Sequence, residues 1–344
     1  MMKKYLLKIV ESVSIFIFIL LPAAASAHEN YVLPKADIDR GMKDWSLNVF
    51  SALKDPHNLQ TCLLVGVPVL IVLIFYYWFT RSRAGAWFDQ KLKTLEPIGH
   101  VILRLALGAS FLASAYFHKF LGPEIPLSSL PLGLLLLPVL YITGIMIILG
   151  LFTEFAGAIG LIILLLMTWV YKDYVLTYFN YAGEFLALIF FGSRIFSFDK
   201  LISKTSALVK RYKNWEIPII RVTYGISVLY PAISIKLLHP IIIVEIVNKF
   251  GLNNIHWLFP RDPLMISLGT GLAQIVVGLF IIFGFMTRLS AFITFILYLL
   301  SVIFFKEQVW PHYILLALAI YLTINNGGDW TLDNWLAKRF AKSA

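Results

Sequence analysis

The sequence predicts an all-α, polytopic helical membrane protein: one transmembrane helix followed by two tandem four-helix bundles, about nine spans after removal of a signal peptide. Two observations predict it. The chain is 59% hydrophobic and 14% charged, with a mean hydropathy of +0.81, which lies far from the composition of soluble domains. One stretch is also written twice. In GHVILRLALGASFLASAYFHKFLG, Gly99 to Gly122, Arg104 is followed by Gly108 four residues on and by Lys119 fifteen on; in RVTYGISVLYPAISIK, Arg221, Gly225 and Lys236 keep the same offsets. Fifteen helical residues rise about 22 Å, so each stretch reads as a spanning helix with a cation near either end, free to reach the headgroups.

The 29 Lys and Arg against 19 Asp and Glu give a net charge of +10. In a membrane chain this excess reports topology, because basic residues collect on cytoplasmic loops. Assigned to loops in this way, it leaves no support for a nucleic-acid partner. The one cysteine, Cys62, excludes an intrachain disulfide or a CxxC redox pair.

Residues 1–27 read as a signal peptide, with Lys3, Lys4 and Lys8 before an apolar run and Ala25-Ser26-Ala27 as the cleavage site. An uncleaved anchor is the alternative. Residues 28–58 then lie outside, with an amphipathic helix from Asp37 to Leu53 whose stripe is Ile38, Met42, Trp45, Val49 and Leu53. Residues 59–96 supply the first span, Leu59 to Phe79, and a basic linker carrying Arg81, Arg83, Lys91 and Lys93.

The first repeat, 97–200, is expected to hold helices at Gly99–Phe120, Pro131–Phe152, Glu154–Tyr171 and Tyr178–Phe196. A basic cytoplasmic linker follows at 201–216. The second repeat, 217–337, is expected to hold helices at Ile217–Leu238, Leu264–Phe283, Leu289–Phe305 and Trp310–Thr323, before a tail at 338–344. The charges place the N-terminus in the periplasm and the C-terminus in the cytoplasm of a bacterial inner-membrane protein. GLFTEFAGAIGLIILLL at Gly150 echoes GFMTRLSAFITFILYLL at Gly284. The second repeat carries extra residues in the outer loop His239–Pro263, whose early part is suited to an interfacial helix.

A helix with R-x3-G and a late lysine, a G-x-x-T-[ER] hairpin and the closing Gly327-Gly328-Asp329-Trp330-Thr331-Leu332-Asp333 resemble the DoxX/DoxD superfamily, here in tandem over residues 97–337. Members include the membrane subunit of thiosulfate:quinone oxidoreductase. The resemblance implies a four-helix bundle and redox chemistry at the membrane, and transfers no catalytic residue.

Glu184, in YFNYAGEFLALIFFG, falls one to two turns inside the membrane from the outer face, where an ionisable group is costly and by default functional. It reads either as a proton acceptor for a quinol or as the structural partner of Lys119. Trp169, Tyr174 and Tyr178 stand beside it, either to sandwich a quinone ring or as the interfacial belt. His312 and Lys236 read as the second repeat's counterparts of Glu184 and Lys119, and His118 joins the same outer group. Six of the seven histidines fall on the outer side and only His100 inside. A free N-terminal His28 suits copper, although no metal-binding spacing accompanies it. The expectation is therefore a membrane subunit of a redox system, linked to quinone and partnered by a periplasmic redox enzyme. The alternatives are a scaffold or assembly factor for a periplasmic enzyme, and a metal-handling or transport protein.

Overall fold

The computed structural model describes residues 33–192, 196–202, 213–254, 260–305 and 310–341. The expected signal peptide, His28 and parts of the basic linker, the outer loop and the tail lie outside the described residues. Five described helices are long and apolar enough to cross a membrane, and four shorter apolar helices accompany them.

Outside the spans, α1 is Lys35–Gly41 and a 3-10 turn covers Val49–Lys54. The single amphipathic helix expected from Asp37 to Leu53 is thus broken. Asp44 accepts the amide of Ser46 at 2.8 Å and Asn48 that of Phe50 at 3.0 Å, local turns that compete with helical bonding. The apolar stripe splits with it: Ile38 and Val49 are buried while Trp45 is exposed. Next come α2, Pro56–Arg81, and the amphipathic α3, Arg83–Lys93. The apolar length of α2 is unburied by protein, so lipid is its environment, and it is tied at its ends. Asn58 donates to Asp262 at 2.6 Å, and Asp89 of α3 pairs with Arg288.

The first repeat comprises α4 (Glu96–Tyr116), α5 (Leu136–Leu149), α6 (Thr153–Tyr171) and α7 (Asn180–Phe191), followed by the short α8 (Phe198–Ile202). The second comprises α9 (Glu216–Pro231), an extra helix α10 (Pro240–Phe250), α11 (Pro263–Phe283), α12 (Thr287–Phe305) and α13 (Trp310–Asn325), with α14 (Leu332–Ala341) in the tail. Neighbours pack in the order α4, α5, α6, α7 and then α9, α11, α12, α13, and α13 returns to α4. The repeats therefore close a ring in which the first and last helices of one face those of the other.

The expected first helix of repeat one is too long. It stops at Tyr116, His118 takes φ 54, and strands β1 (Lys119–Phe120) and β2 (Gly122–Pro126) form a hairpin. Phe120, Leu121, Ile125 and Leu127 are fully buried, so this apolar run plugs the end of the bundle instead of extending the helix. In repeat two the same point is a π turn, Ala232–Leu237, leading into α10. The fourth helix of repeat one also ends early, at Phe191, because Gly192 takes φ 64. On α10 and α11 lies the N-terminal segment, Ile38 against Ile242 and Ile246, and Val49 and Ala52 against Met265 and Leu268.

At the opposite end, which carries Arg81, Lys91 and Lys93 and is called the basic end, both repeats build one clasp. Arg104 donates to the carbonyl of Phe196 at 2.7 Å; Arg221 donates to those of Gly327 at 2.9 Å and Trp330 at 2.6 Å. Each arginine faces a turn on a glycine at positive φ, Gly150 at 65 and Gly284 at 68. A β-carbon on Gly150 would stand 2.9 Å from Arg104 Nη1, so the glycine is required. An aspartate then caps the third helix: Asp199 accepts from Phe152 N at 2.7 Å and Asp333 from Met286 N at 2.8 Å, each across 47 residues. Gly108 and Gly225 let the first two helices of each repeat touch, for a β-carbon at either would come 2.9 Å from the carbonyl of Gly144 or Gly278.

Candidate functional site

Glu184 is placed by two small features of α7. Gly183 allows α9 to press close, since a β-carbon there would stand 3.0 Å from Thr223 Cβ. Asn180, one turn earlier, is fixed by Ser227 of α9: its amide donates to Ser227 Oγ at 2.6 Å, and that hydroxyl donates to Asn180 Oδ1 at 3.3 Å. Asn180 Nδ2 then donates to Glu184 Oε1 at 3.1 Å. Glu184 is 2% exposed, and its Oε2 has no hydrogen-bond partner among the described residues. Leaving a buried carboxyl oxygen unbonded costs about 1–3 kcal/mol, so a role outside folding has to account for it.

That residue lines a cavity with His100, Leu103, Arg104 and Leu107 of α4, Ala187 and Leu188 of α7, Gly192, and Glu216 and Ile220 of α9. Its volume, counted where the centre of a water can sit, is about 40 Å³, enough for roughly three waters. From Gly192 to Glu184 it follows α7 for about 12 Å. At its basic end the two repeats meet, His100 Nδ1 lying 3.4 Å from Glu216 Oε1, with both side chains at least nine-tenths buried. Glu216 is the first residue of α9, where the helix dipole favours a carboxylate.

The hairpin end forms a second cluster. Glu124 of β2 accepts from Tyr174 Oη at 2.8 Å and from Tyr178 Oη. One turn deeper, Tyr181 Oη and Ser110 Oγ are 2.6 Å apart.

Of the residues singled out from sequence, only Glu184 lines the cavity; Lys119, His118, Lys236 and His312 do not. Lys119 sits in β1 and is paired with Pro126, and His118 is an exposed corner residue. Lys236 lies in the π turn, its carbonyl accepting from Ser267 at 2.9 Å. His312 is buried with its ring 5.8 Å from that of Tyr298. By the clasp register, in which Gly150 matches Gly284 and Asp199 matches Asp333, the counterpart of Glu184 is Leu318, and that of His312 is Tyr178. Trp169 is 74% exposed and points away, while Tyr178 is buried in the core. So arranged, Trp169 stands apart from the buried Tyr178, and the two do not sandwich a ring between them. Among the described residues no three His, Cys, Asp or Glu side chains gather to hold a metal ion.

Sequence reasoning missed His100, Glu216 and Glu124. His100 carried a signal, as the one histidine expected on the inner side. Glu216 and Glu124 sit at element boundaries, where acidic residues are unremarkable, and only the packing of the two repeats gives them their partners.

A ring of apolar helices closed by buried arginine clasps defines a multi-pass helical membrane protein. The DoxX family model matches residues 217–307, which hold α9 to α12, and that part of the chain is similar to DoxX proteins. No curated protein and no solved structure matches it. The motifs that carry the resemblance are the clasp, so what the repeats share is architecture.

Proposed function

We propose that this protein is the membrane subunit of a redox system and that its own contribution is proton exchange at Glu184. The observation that carries the reading is the buried Glu184 carboxyl, one oxygen held by Asn180 and the other without a hydrogen bond among the described residues, on a residue that lines one cavity with His100 and Glu216. The basic residues at that end support a position on the cytoplasmic side of an inner membrane. A proton enters at the His100–Glu216 pair, crosses waters in the cavity and binds Glu184 Oε2. Buried carboxylate and histidine chains serve as proton relays in membranes. Electron transfer, and any quinone, belong to the partner enzyme.

The test is the Glu184→Gln variant, purified with its native partners, with quinone reduction and proton uptake measured together. Loss of both in a normally assembled complex is expected, together with loss of a protonated carboxyl band in infrared difference spectra. Full activity would refute the reading.

The scaffold reading has one observation in its favour, the folded platform that residues 33–54 build on α10 and α11 outside the spans. Under it, disrupting Arg40–Glu245 would release a periplasmic partner while quinone reduction by that freed partner persisted.

A further inference from the structure

We infer that the proton route does not stop at Glu184 but continues through Tyr181 and Tyr178 to Glu124, so that the first repeat carries a complete transmembrane proton path. The inference rests on the proton-exchange reading of Glu184 and extends it to the other face. Tyr178 closes the 3-10 turn Lys172–Tyr178 that leads into α7, and Tyr181 and Glu184 follow on α7 at three-residue intervals, so each neighbours the next. Tyr181 follows Tyr178 and precedes Glu184 by three residues each, so it stands between the Tyr178–Glu124 bond and Glu184 along the chain. Its hydroxyl meets Ser110 Oγ at 2.6 Å, and its ring lies 6.3 Å from that of Tyr178. Tyr178 donates to Glu124, which is half-buried at the hairpin rim.

Hydroxyls both donate and accept. A proton from Glu184 Oε2 that reaches the Tyr181 oxygen lets the original phenolic proton leave toward Ser110 and Tyr178, and Tyr178 passes its own to Glu124. Each hydroxyl ends neutral and must rotate to reset. No bond between heavy atoms changes.

The surroundings favour this route over an ion pathway. Phe111, Phe120 and Phe185 are fully buried around the tyrosines, with Phe111 5.5 Å from Phe185 and 6.3 Å from Phe120. A hydrated cation finds no ligands there. In the second repeat the counterparts of Tyr178, Tyr181 and Glu184 are His312, Leu315 and Leu318, so the line is broken in that half.

The experiment is proton flux into proteoliposomes of the full chain, driven by a potassium diffusion potential with valinomycin and read by an internal pH dye. The wild type is expected to conduct above protein-free vesicles. Tyr181→Phe, Tyr178→Phe and Glu184→Gln should each lower flux at least tenfold, and Tyr171→Phe should leave it unchanged. Because Tyr178 and Tyr181 are packed in the core, Glu124→Gln at the rim provides a variant less able to disturb folding, and it should lower flux as well. Wild-type flux no greater than that of empty vesicles would overturn the inference, as would flux that survives Tyr181→Phe and Glu124→Gln. Loss of redox activity in Glu184→Gln alongside no wild-type flux would leave the site reading standing and remove only the path. Flux that depends on Glu184 while redox activity does not would do the reverse.

Discussion

The two repeats are alike where they hold themselves together and unlike where they face each other. Both use a buried arginine, a left-handed glycine and an aspartate cap at the basic end. Across the ring, α7 meets α9 through Asn180, Glu184, Thr223 and Ser227, whereas the matching contact of α13 with α4 presents Ile314, Leu318, Ala106 and Ser110. Symmetry thus marks the scaffold and its breaking marks the candidate site. A duplicated fold can keep a clasp in both halves while setting a carboxyl in the middle of the fourth helix in one only, so that the cost of desolvation at that depth is met once.

The clasps offer the largest way to break this comparison. Arg221→Leu orphans the carbonyls of Gly327 and Trp330, and Arg104→Leu that of Phe196, at about 1–3 kcal/mol for each carbonyl, so chemical denaturation in detergent should show a clear loss of stability for both variants. Unchanged stability in either would mean that its clasp is not built from these bonds. A smaller effect of opposite sign sharpens the other half of the comparison. Glu184→Leu should raise the unfolding midpoint, worth about 1–3 kcal/mol, while eliminating proton uptake, the usual exchange of activity for stability. A destabilised Glu184→Leu protein would show that the carboxyl is structural.

The smallest effect concerns α3. Burial raises the Asp89 pKa, but hydrogen bonds and charges from Lys93 and Arg288 outweigh it and leave the carboxyl below its ordinary value. The folded-state pKa is depressed, so this contribution is present above the unfolded value of about 3.9 and is lost as pH falls below it. With Asp89 a third exposed, about 0.5 kcal/mol is expected, read as a stability difference between wild type and Asp89→Asn that vanishes toward pH 3. A difference that persists in acid would exclude the ion pair.

Much of the fold was legible because hydropathy and spacing act locally. The Arg104/Arg221 echo located both first helices, Gly150 and Gly284 both hairpins, and Glu184 declared itself by its depth. The hairpin at Lys119 was not legible, since Phe120, Leu121 and Ile125 are as apolar in a plug as in a span. Nor was the His100–Glu216 pair, whose members meet only when one repeat closes on the other. His312 falls near the position of Glu184 without matching it: the first-helix register gives Ser301 as the counterpart and the clasp register Leu318, the two differing by the 17 residues that separate the arginine-to-glycine distances of the repeats, 46 against 63.

The N-terminal segment bears on how the protein is made. Arg40 bonds Glu245 at 2.8 Å across 205 residues, and Asn58 bonds Asp262 across 204. During synthesis this early segment leaves the ribosome long before its seat exists, and the whole first repeat is threaded into the bilayer while it waits. Its docking becomes possible only after α10 has emerged and α11 has begun. The two bonds therefore form late, and they tie the earliest described residues to helices made well over half a chain later.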